Sequence, residues 1–311
     1  MPYPSFDPST FSGSPASGPA RAAGAASSFG APADSSPRRT FDPARGFGGG
    51  RSTFAGTADA YAAHRAPLPE DVVSYLRALL PSGRRGRLLD VGTGTGAALL
   101  PLLPAVSSAI GIDPDAHLLD RTAATLSGGA SGADVELRAQ PAEAFTVPAG
   151  WQADLVTVCR AFHWFDRPAF LERVTPVMNA GASLAVLSDC SVWSDDQPWK
   201  SAVIGVITEF LGPRRRAGDG FYEPPARPFV EDIRASGLQN VVTVEFPFRR
   251  TLTVEDILGE LRSSSFASRA VLGRAHTRFE SRLREALAPV ARADGRLVDD
   301  NVFTVIVAER P

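Results

Sequence analysis

Residues 69–189 alternate between two patterns of apolar and polar positions, and each pattern predicts a different element. Short apolar runs, such as 88–91 and 155–159, predict buried strands, because a strand inside a parallel sheet is covered on both faces. The segments between these runs repeat their apolar residues every three or four positions, which predicts amphipathic helices. Strands that alternate with helices indicate a mostly parallel sheet covered by helices on both sides.

The same patterns give approximate bounds for each element. Seven strands are predicted, at residues 88–91, 109–113, 135–139, 155–159, 183–188, 241–248 and 302–308. Helices are predicted over residues 69–80, from the turn after the first strand to 103, and over 115–126, 167–178, 227–236, 254–262 and 277–288. No helix is predicted in 190–225, where aromatic residues stand among turn formers and charges.

Composition divides the chain into a tail and a domain. Residues 1–50 consist mainly of Pro, Gly, Ser and Ala and lack Val, Ile and Leu. Such a segment buries too little apolar surface to offset the entropy lost on ordering, so we predict a disordered tail there. Residues 51–311 are expected to form one α/β domain, with 190–280 contributing a substrate-binding cap.

Charge and cysteine content disfavour several classes of protein. The net charge is −2, so the chain lacks the basic excess that is typical of nucleic-acid binding. Two cysteines are too few for a disulfide framework and favour the reducing cytoplasm. We find no apolar run long enough to span a membrane and no basic-apolar signal at the N-terminus. Four His and two Cys show no zinc-ligand spacing, so no metal is expected.

The most informative motif is the glycine-rich segment LLDVGTGTG at residues 88–96. Glycines between a buried strand and a helix permit positive φ and allow a ligand to approach the backbone, while the helix start offers free N–H groups. Asp113 ends the second apolar strand, near the spacing at which an acid accepts hydrogen bonds from a ribose. Together these features predict a nucleoside-bearing cofactor; the alternative is a structural turn and a surface acid.

Four segments in this order, DVGTGTG, GIDPD, QPAEAF and AFHWFD, resemble class I methyltransferases that use S-adenosylmethionine. The resemblance extends over about residues 54–309 and is strongest for the ubiquinone-type and small-molecule branch. It implies a Rossmann-like, doubly wound sheet and methyl transfer to an O, N or C atom of a small organic molecule, such as a secondary metabolite. It does not indicate which acceptor is used.

The resemblance also implies which positions hold S-adenosylmethionine. Those of the first motif, which cradle the methionine end, are Asp90, Gly92, Thr93, Gly94 and Gly96. Those that face the ribose and the adenine are Asp113, Pro114, Ala142 and Glu143. Those near the sulfonium and the methionine carboxylate are Arg160, Ala161, Tyr61 and Arg65.

His163 is the candidate catalytic residue, because it follows the fourth strand at the edge where open α/β sheets bind ligands. An imidazole can accept a proton near neutral pH, so His163 could act as a general base or could only shape the pocket. Asp166, just before Arg167-Pro168, is expected to cap the next helix. Candidate contacts to the acceptor are the aromatic residues Trp164, Trp193, Phe221 and Tyr222.

Three alternatives remain open at the level of sequence. A nicotinamide-dependent oxidoreductase could use the same turn, since Ala97 fits its glycine spacing. A protein of the same fold could bind S-adenosylmethionine without methyl transfer, as a cyclase or a binding protein. A nucleic-acid methyltransferase is less consistent, because AFHWFD lacks the Pro-Pro-aromatic sequence common after the fourth strand of such enzymes.

Overall fold

A computed structural model describes residues 67–129, 132–217, 220–222, 227–264 and 266–311. The predictions for Tyr61, Arg65 and the tail 1–50 lie outside these residues. The helices are α1 Glu70–Ala78, α2 Leu99–Leu102, α3 Ala116–Ser127, α4 Arg167–Val174, α5 Pro198–Leu211, α6 Phe229–Ala235, α7 Val254–Arg262, α8 Arg269–Leu272 and α9 His276–Leu287. The strands are β1 Gly86–Val91, β2 Val106–Asp113, β3 Asp134–Ala139, β4 Ala153–Cys159, β5 Met178–Asp189, β6 Arg216–Ala217, β7 Gly220–Phe221, β8 Gln239–Leu252 and β9 Leu297–Glu309.

Seven strands form one sheet in the order β3-β2-β1-β4-β5-β9-β8. Strands β1 to β5 are parallel, and β9 runs antiparallel to both β5 and β8. This arrangement confirms the predicted α/β fold. The strand order reverses between β1 and β4, and in open α/β sheets the crevice at such a reversal is where ligands bind.

Apolar clusters cover both faces of the sheet. One face packs Phe145, Phe162 and Phe170 against strand residues, and the other packs Leu76 and Leu102. A third cluster lies among α5, α7 and α9, whose buried residues include Trp199, Val203, Leu258, Phe279 and Leu283. Helices α5, α7 and α9 therefore share an apolar core of their own, whereas α6 packs on a cluster of the sheet through Ile233.

One predicted helix boundary is wrong, and one helix was not predicted. The helix predicted over 167–178 ends at Val174, and Pro176 lies in the single 3-10 turn Thr175–Val177 that follows, since proline cannot continue the backbone ladder. Met178 already belongs to β5. Helix α5 was missed, although its buried residues Trp199, Val203 and Val206 recur at helical spacing.

Among the described residues, no helix has both the length and the apolar character needed to cross a membrane.

Candidate functional site

The glycine-rich turn joins β1 to α2 at the switch point of the sheet. Gly92 has a φ of +72°, and a side chain there would overlap the methyl group of Ala161 in the loop after β4. Gly94 has a φ of +53°, and the nearest atom to a Cβ placed there is Asp113 Oδ2 at 4.0 Å. The turn is therefore closed against β4 at Gly92 and open at Gly94, where a ligand can approach the backbone.

Asp90 is buried beneath this turn. Its carboxylate accepts hydrogen bonds from the Thr157 hydroxyl, at 2.6 Å, and from the Thr93 hydroxyl. Burial raises the pKa of Asp90 to about 6, although these hydroxyls and the backbone N–H of Leu99 favour the ionised form. Asp90 and Thr93, both predicted to hold the cofactor, are engaged with each other and fix the shape of the turn.

Asp113 faces the open part of the turn from the end of β2. Oδ2 accepts a hydrogen bond from the Gly94 N–H and Oδ1 accepts one from the Asp115 N–H, both at 2.9 Å. Burial raises the pKa of Asp113 to about 6, against these two hydrogen bonds. Each carboxylate oxygen can accept a further hydrogen bond, so Asp113 can receive the two hydroxyls of a ribose. Pro114 follows it directly and is exposed.

Arg160 directs its guanidinium toward β5 and β9. Its backbone has a φ of +55°, which is rare for a residue with a Cβ, and its N–H donates to Leu187 O at 2.8 Å. The guanidinium forms a two-pronged ion pair with Asp189, with both N···O distances 2.8 Å, and lies 5.3 Å from the centre of the Phe303 ring. Asp189 therefore neutralises the positive charge of Arg160, the residue predicted to lie near the sulfonium.

His163 lies in the 3-10 turn Phe162–Trp164 directly after β4. It is exposed, and its ring centre lies 4.8 Å from that of Trp164. Asp166 accepts a hydrogen bond from the Ala169 N–H and so caps α4, as predicted. The loop thus presents an imidazole at the carboxyl edge of the sheet, where the sequence predicted a catalytic residue.

Ala142 and Glu143, predicted to contact the adenine, lie in the segment after β3, which adjoins this loop. Ala142 is buried in the core, and Glu143 Oε1 accepts a hydrogen bond from the Asp166 N–H at 2.9 Å. The Glu143 carboxylate therefore links the segment after β3 to the loop after β4 that carries His163.

The four predicted acceptor contacts do not form a single cluster. Trp164 packs on the core cluster that contains Phe162, whereas Trp193 packs against Phe266 with ring centres 6.0 Å apart. Phe221 and Tyr222 lie at the hairpin formed by β6 and β7. Their partners there are arginines of the run 214–216.

Within the described ranges, no group of three or more His, Cys, Asp or Glu side chains is placed to hold a metal ion.

The open side of the turn gives a first testable prediction. Gly94→Ala would place a methyl group where we expect S-adenosylmethionine to contact the backbone, so its affinity should fall by about 30-fold, as for overpacking of a close contact. Gly150→Ala is the matched control, because Gly150 has a φ of +75° and nothing within 4 Å of an added Cβ. Titration calorimetry should show a loss in the first variant alone, with similar melting temperatures for both. Equal affinities would contradict an open cradle at Gly94.

Comparison with known proteins shows which family part of this chain resembles. Residues 89–184 match a family described as a methyltransferase domain. A protein of Dictyostelium discoideum, described as a candidate methyltransferase, is 30% identical over 105 residues, which are 34% of this chain and 37% of that protein. The chain thus matches little more than a third of that relative's length.

Solved structures show the same fold. A candidate methyltransferase of Bacillus halodurans superposes with a TM-score of 0.51 and 18% identity, covering 78% of this chain and 99% of that one. A candidate type II methyltransferase of Anaeromyxobacter dehalogenans gives a TM-score of 0.50 and 21% identity, covering 79% and 97%. At these identities the likeness establishes the fold. The chain thus has the class I methyltransferase fold, and the predicted resemblance is confirmed.

Proposed function

We propose, from the match of residues 89–184 to the methyltransferase domain family, that this protein transfers a methyl group from S-adenosylmethionine to an O, N or C atom of a small organic molecule. The observation that carries the proposal is the open turn at Gly94, which faces the buried carboxylate of Asp113 across the switch point of the sheet. A nucleoside-bearing cofactor fits both features. Its ribose can donate hydrogen bonds to the carboxylate, and the open backbone lets the cofactor approach closely.

When bound, S-adenosylmethionine supplies a methyl group that its positive sulfur already activates. The chain's task is to align the acceptor with that group and to exclude water. We assign ribose binding to Asp113 and close backbone contact to Gly94, while Asp90 and Thr93 hold the turn that presents Gly94. Pro114, Ala142 and Glu143 remain our candidates for the adenine side.

His163 is our candidate for the proton-accepting residue. It is exposed at the carboxyl end of β4, on the same loop as Ala161, whose methyl group borders Gly92. A general base in this position would remove a proton from an O or N acceptor, which contributes about 10²- to 10⁴-fold to such reactions. An acceptor that needs no base would leave His163 with a role in the shape of the pocket.

We further propose that the helices of 190–280 form a cap that holds the acceptor, which is a small molecule rather than a nucleic acid. The cluster of Trp199, Phe279 and their neighbours gives α5, α7 and α9 a core separate from the two clusters of the sheet. Trp193 leads from β5 into this cluster, so the cap connects directly to the carboxyl edge.

The decisive experiment is calorimetric titration with S-adenosylmethionine, S-adenosylhomocysteine and NADH, followed by transfer of labelled methyl to a panel of acceptors. We expect micromolar binding of both sulfur nucleosides, no binding of NADH, and label in product. Binding of NADH alone would establish an oxidoreductase. Binding of S-adenosylmethionine with turnover of an acceptor but no label in product would indicate a cyclase of the same fold.

A further inference from the structure

Strands β6 and β7 bring three arginines and two aromatic residues together. In this two-stranded hairpin Arg216 pairs with Phe221, and the Tyr222 N–H donates to Arg215 O at 2.8 Å. We call the set Arg214, Arg215, Arg216, Phe221 and Tyr222 the arginine hairpin. Its register places basic and aromatic side chains opposite one another on the two strands.

The guanidinium groups of the hairpin stack on aromatic rings. Arg214 lies 3.9 Å from the centre of the Phe221 ring and Arg215 lies 3.9 Å from that of Tyr222. Arg215 also lies 5.5 Å from the centre of the Trp193 ring. A stacked guanidinium is held in place while the N–H donors in its plane stay available, which is the arrangement that binds planar or tetrahedral anions.

No carboxylate of the described residues forms an ion pair with Arg214, Arg215 or Arg216, in contrast to most of the partly buried arginines elsewhere in the domain. Two donors at this place are shielded from solvent and have no hydrogen-bond partner in the described part of the chain: Nε of Arg216 and Nε1 of Trp193. A buried donor without a partner is unfavourable, so a group that only accepts hydrogen bonds is favoured here. Carboxylates and phosphates are such groups.

The hairpin also lies toward the candidate site. Trp193, on which Arg215 stacks, is four residues beyond Asp189, the last residue of β5. Asp189 in turn pairs with Arg160 at the end of β4, beside the switch point. Trp193, which lies just beyond β5, therefore brings the hairpin into contact with the segment that leaves the carboxyl edge of the sheet.

We infer that the arginine hairpin binds a carboxylate or phosphate group of an aromatic or otherwise planar small molecule, with Arg215 and Arg216 as the principal donors. That this molecule is the methyl acceptor rests on the proposed function. The aromatic residues Trp193, Phe221 and Tyr222, predicted as acceptor contacts from sequence, would then hold the arginines as well as contact the ring of the acceptor.

The test compares anionic and neutral probes of the same size on the full chain. Phenyl phosphate, benzoate and benzyl alcohol are titrated against the protein, with calorimetry and tryptophan fluorescence as readouts. We expect at least one anion to bind about ten-fold more tightly than benzyl alcohol, since a guanidinium donates stronger hydrogen bonds to an anion than to a neutral hydroxyl. Whichever anion binds more tightly identifies the group as phosphate or carboxylate.

Arg216→Gln should remove that preference, whereas Arg274→Gln, at an exposed arginine of the 3-10 turn Gly273–Ala275, should retain it. Melting curves confirm that both variants are folded. Binding of S-adenosylmethionine should be the same in both, so loss of anion binding and failure of the proposed function give different results. Equal binding of the three probes, or an unchanged preference in Arg216→Gln, would overturn the inference. Binding of phosphatidylglycerol vesicles or of an oligonucleotide without binding of any small anion would overturn it as well.

Discussion

Asp113→Ala is expected to weaken the binding of S-adenosylmethionine by about 100-fold, which corresponds to about 3 kcal/mol, while the fold remains intact. The carboxylate lies at the end of β2 with each oxygen already held by a backbone N–H. It is therefore oriented before the ligand arrives, and two ribose hydroxyls would donate charge-assisted hydrogen bonds of about 1.5–3 kcal/mol each. Calorimetry at pH 7.5 measures the loss, and Asp120→Ala, at an exposed aspartate of α3, is the matched control.

The pH dependence of binding separates this role from a structural one. Because burial raises the pKa of Asp113 to about 6, the wild-type carboxyl gains a proton as pH falls through 6 and then accepts hydrogen bonds poorly. We expect the affinity of the wild type to fall between pH 7 and 5, and a much smaller change in Asp113→Ala. Parallel pH profiles, or equal affinities at pH 7.5, would refute ribose binding by Asp113.

The raised pKa of Asp113 also affects the stability of the fold, but with the opposite dependence on pH. The folded protein holds the proton of Asp113 more tightly than the unfolded chain does, so this group stabilises the fold fully below about pH 4. The contribution is lost as pH rises through about 6, where the buried carboxyl ionises. Asp90 has a pKa shift in the same direction and of the same cause. The cofactor site therefore contains two carboxylates whose burial is unfavourable at neutral pH.

The sheet could be predicted because its signals are local. The apolar runs at 88–91 and 155–159 identified β1 and β4, and the structure extends them only to Gly86–Val91 and Ala153–Cys159. Strand β8 runs from Gln239 to Leu252, well beyond the predicted 241–248, because its last residues pair with β9. The residues paired there are polar, such as Arg249 opposite Asp300, so this part of the strand shows no apolar pattern in the sequence.

The features of the candidate site likewise divide into those that the sequence predicted and those that depend on the fold. The glycine turn and Asp113 stand at fixed distances along the chain, so their spacing predicted a place for a nucleoside. The ion pair of Arg160 with Asp189 joins residues at the ends of two different strands, and no spacing rule links them. The arginine hairpin likewise depends on the fold, because Arg215 and Trp193 meet only once the chain beyond β5 has turned back on itself.

A buried charge network shows how the helices of 190–280 are joined to the sheet. Lys200 of α5 is almost fully buried, with Nζ 2.6 Å from Asp195 Oδ2 and 3.3 Å from Oδ1 of the buried Asp299 in β9. Arg250 of β8 pairs with the same aspartate at 2.7 Å and with Glu260 of α7 at 2.5 Å. Three carboxylates thus share two cations, and each cation connects the sheet to a neighbouring segment.

Lys200→Met is therefore expected to lower the free energy of unfolding by about 3 kcal/mol, because it leaves the buried Asp299 with only Arg250 as a counter-charge. Urea denaturation measures the loss, and Arg249→Met is the matched control, since the Arg249–Asp300 pair beside the network is exposed and its removal should hardly shift the midpoint. An unchanged midpoint in Lys200→Met would show that the ion pairs contribute little.

The shape of the denaturation curve carries further information, because a single transition means that α5 unfolds together with the sheet. An early separate transition, with binding of S-adenosylmethionine retained, would mean that the helices of 190–280 can open while the cofactor site stays folded.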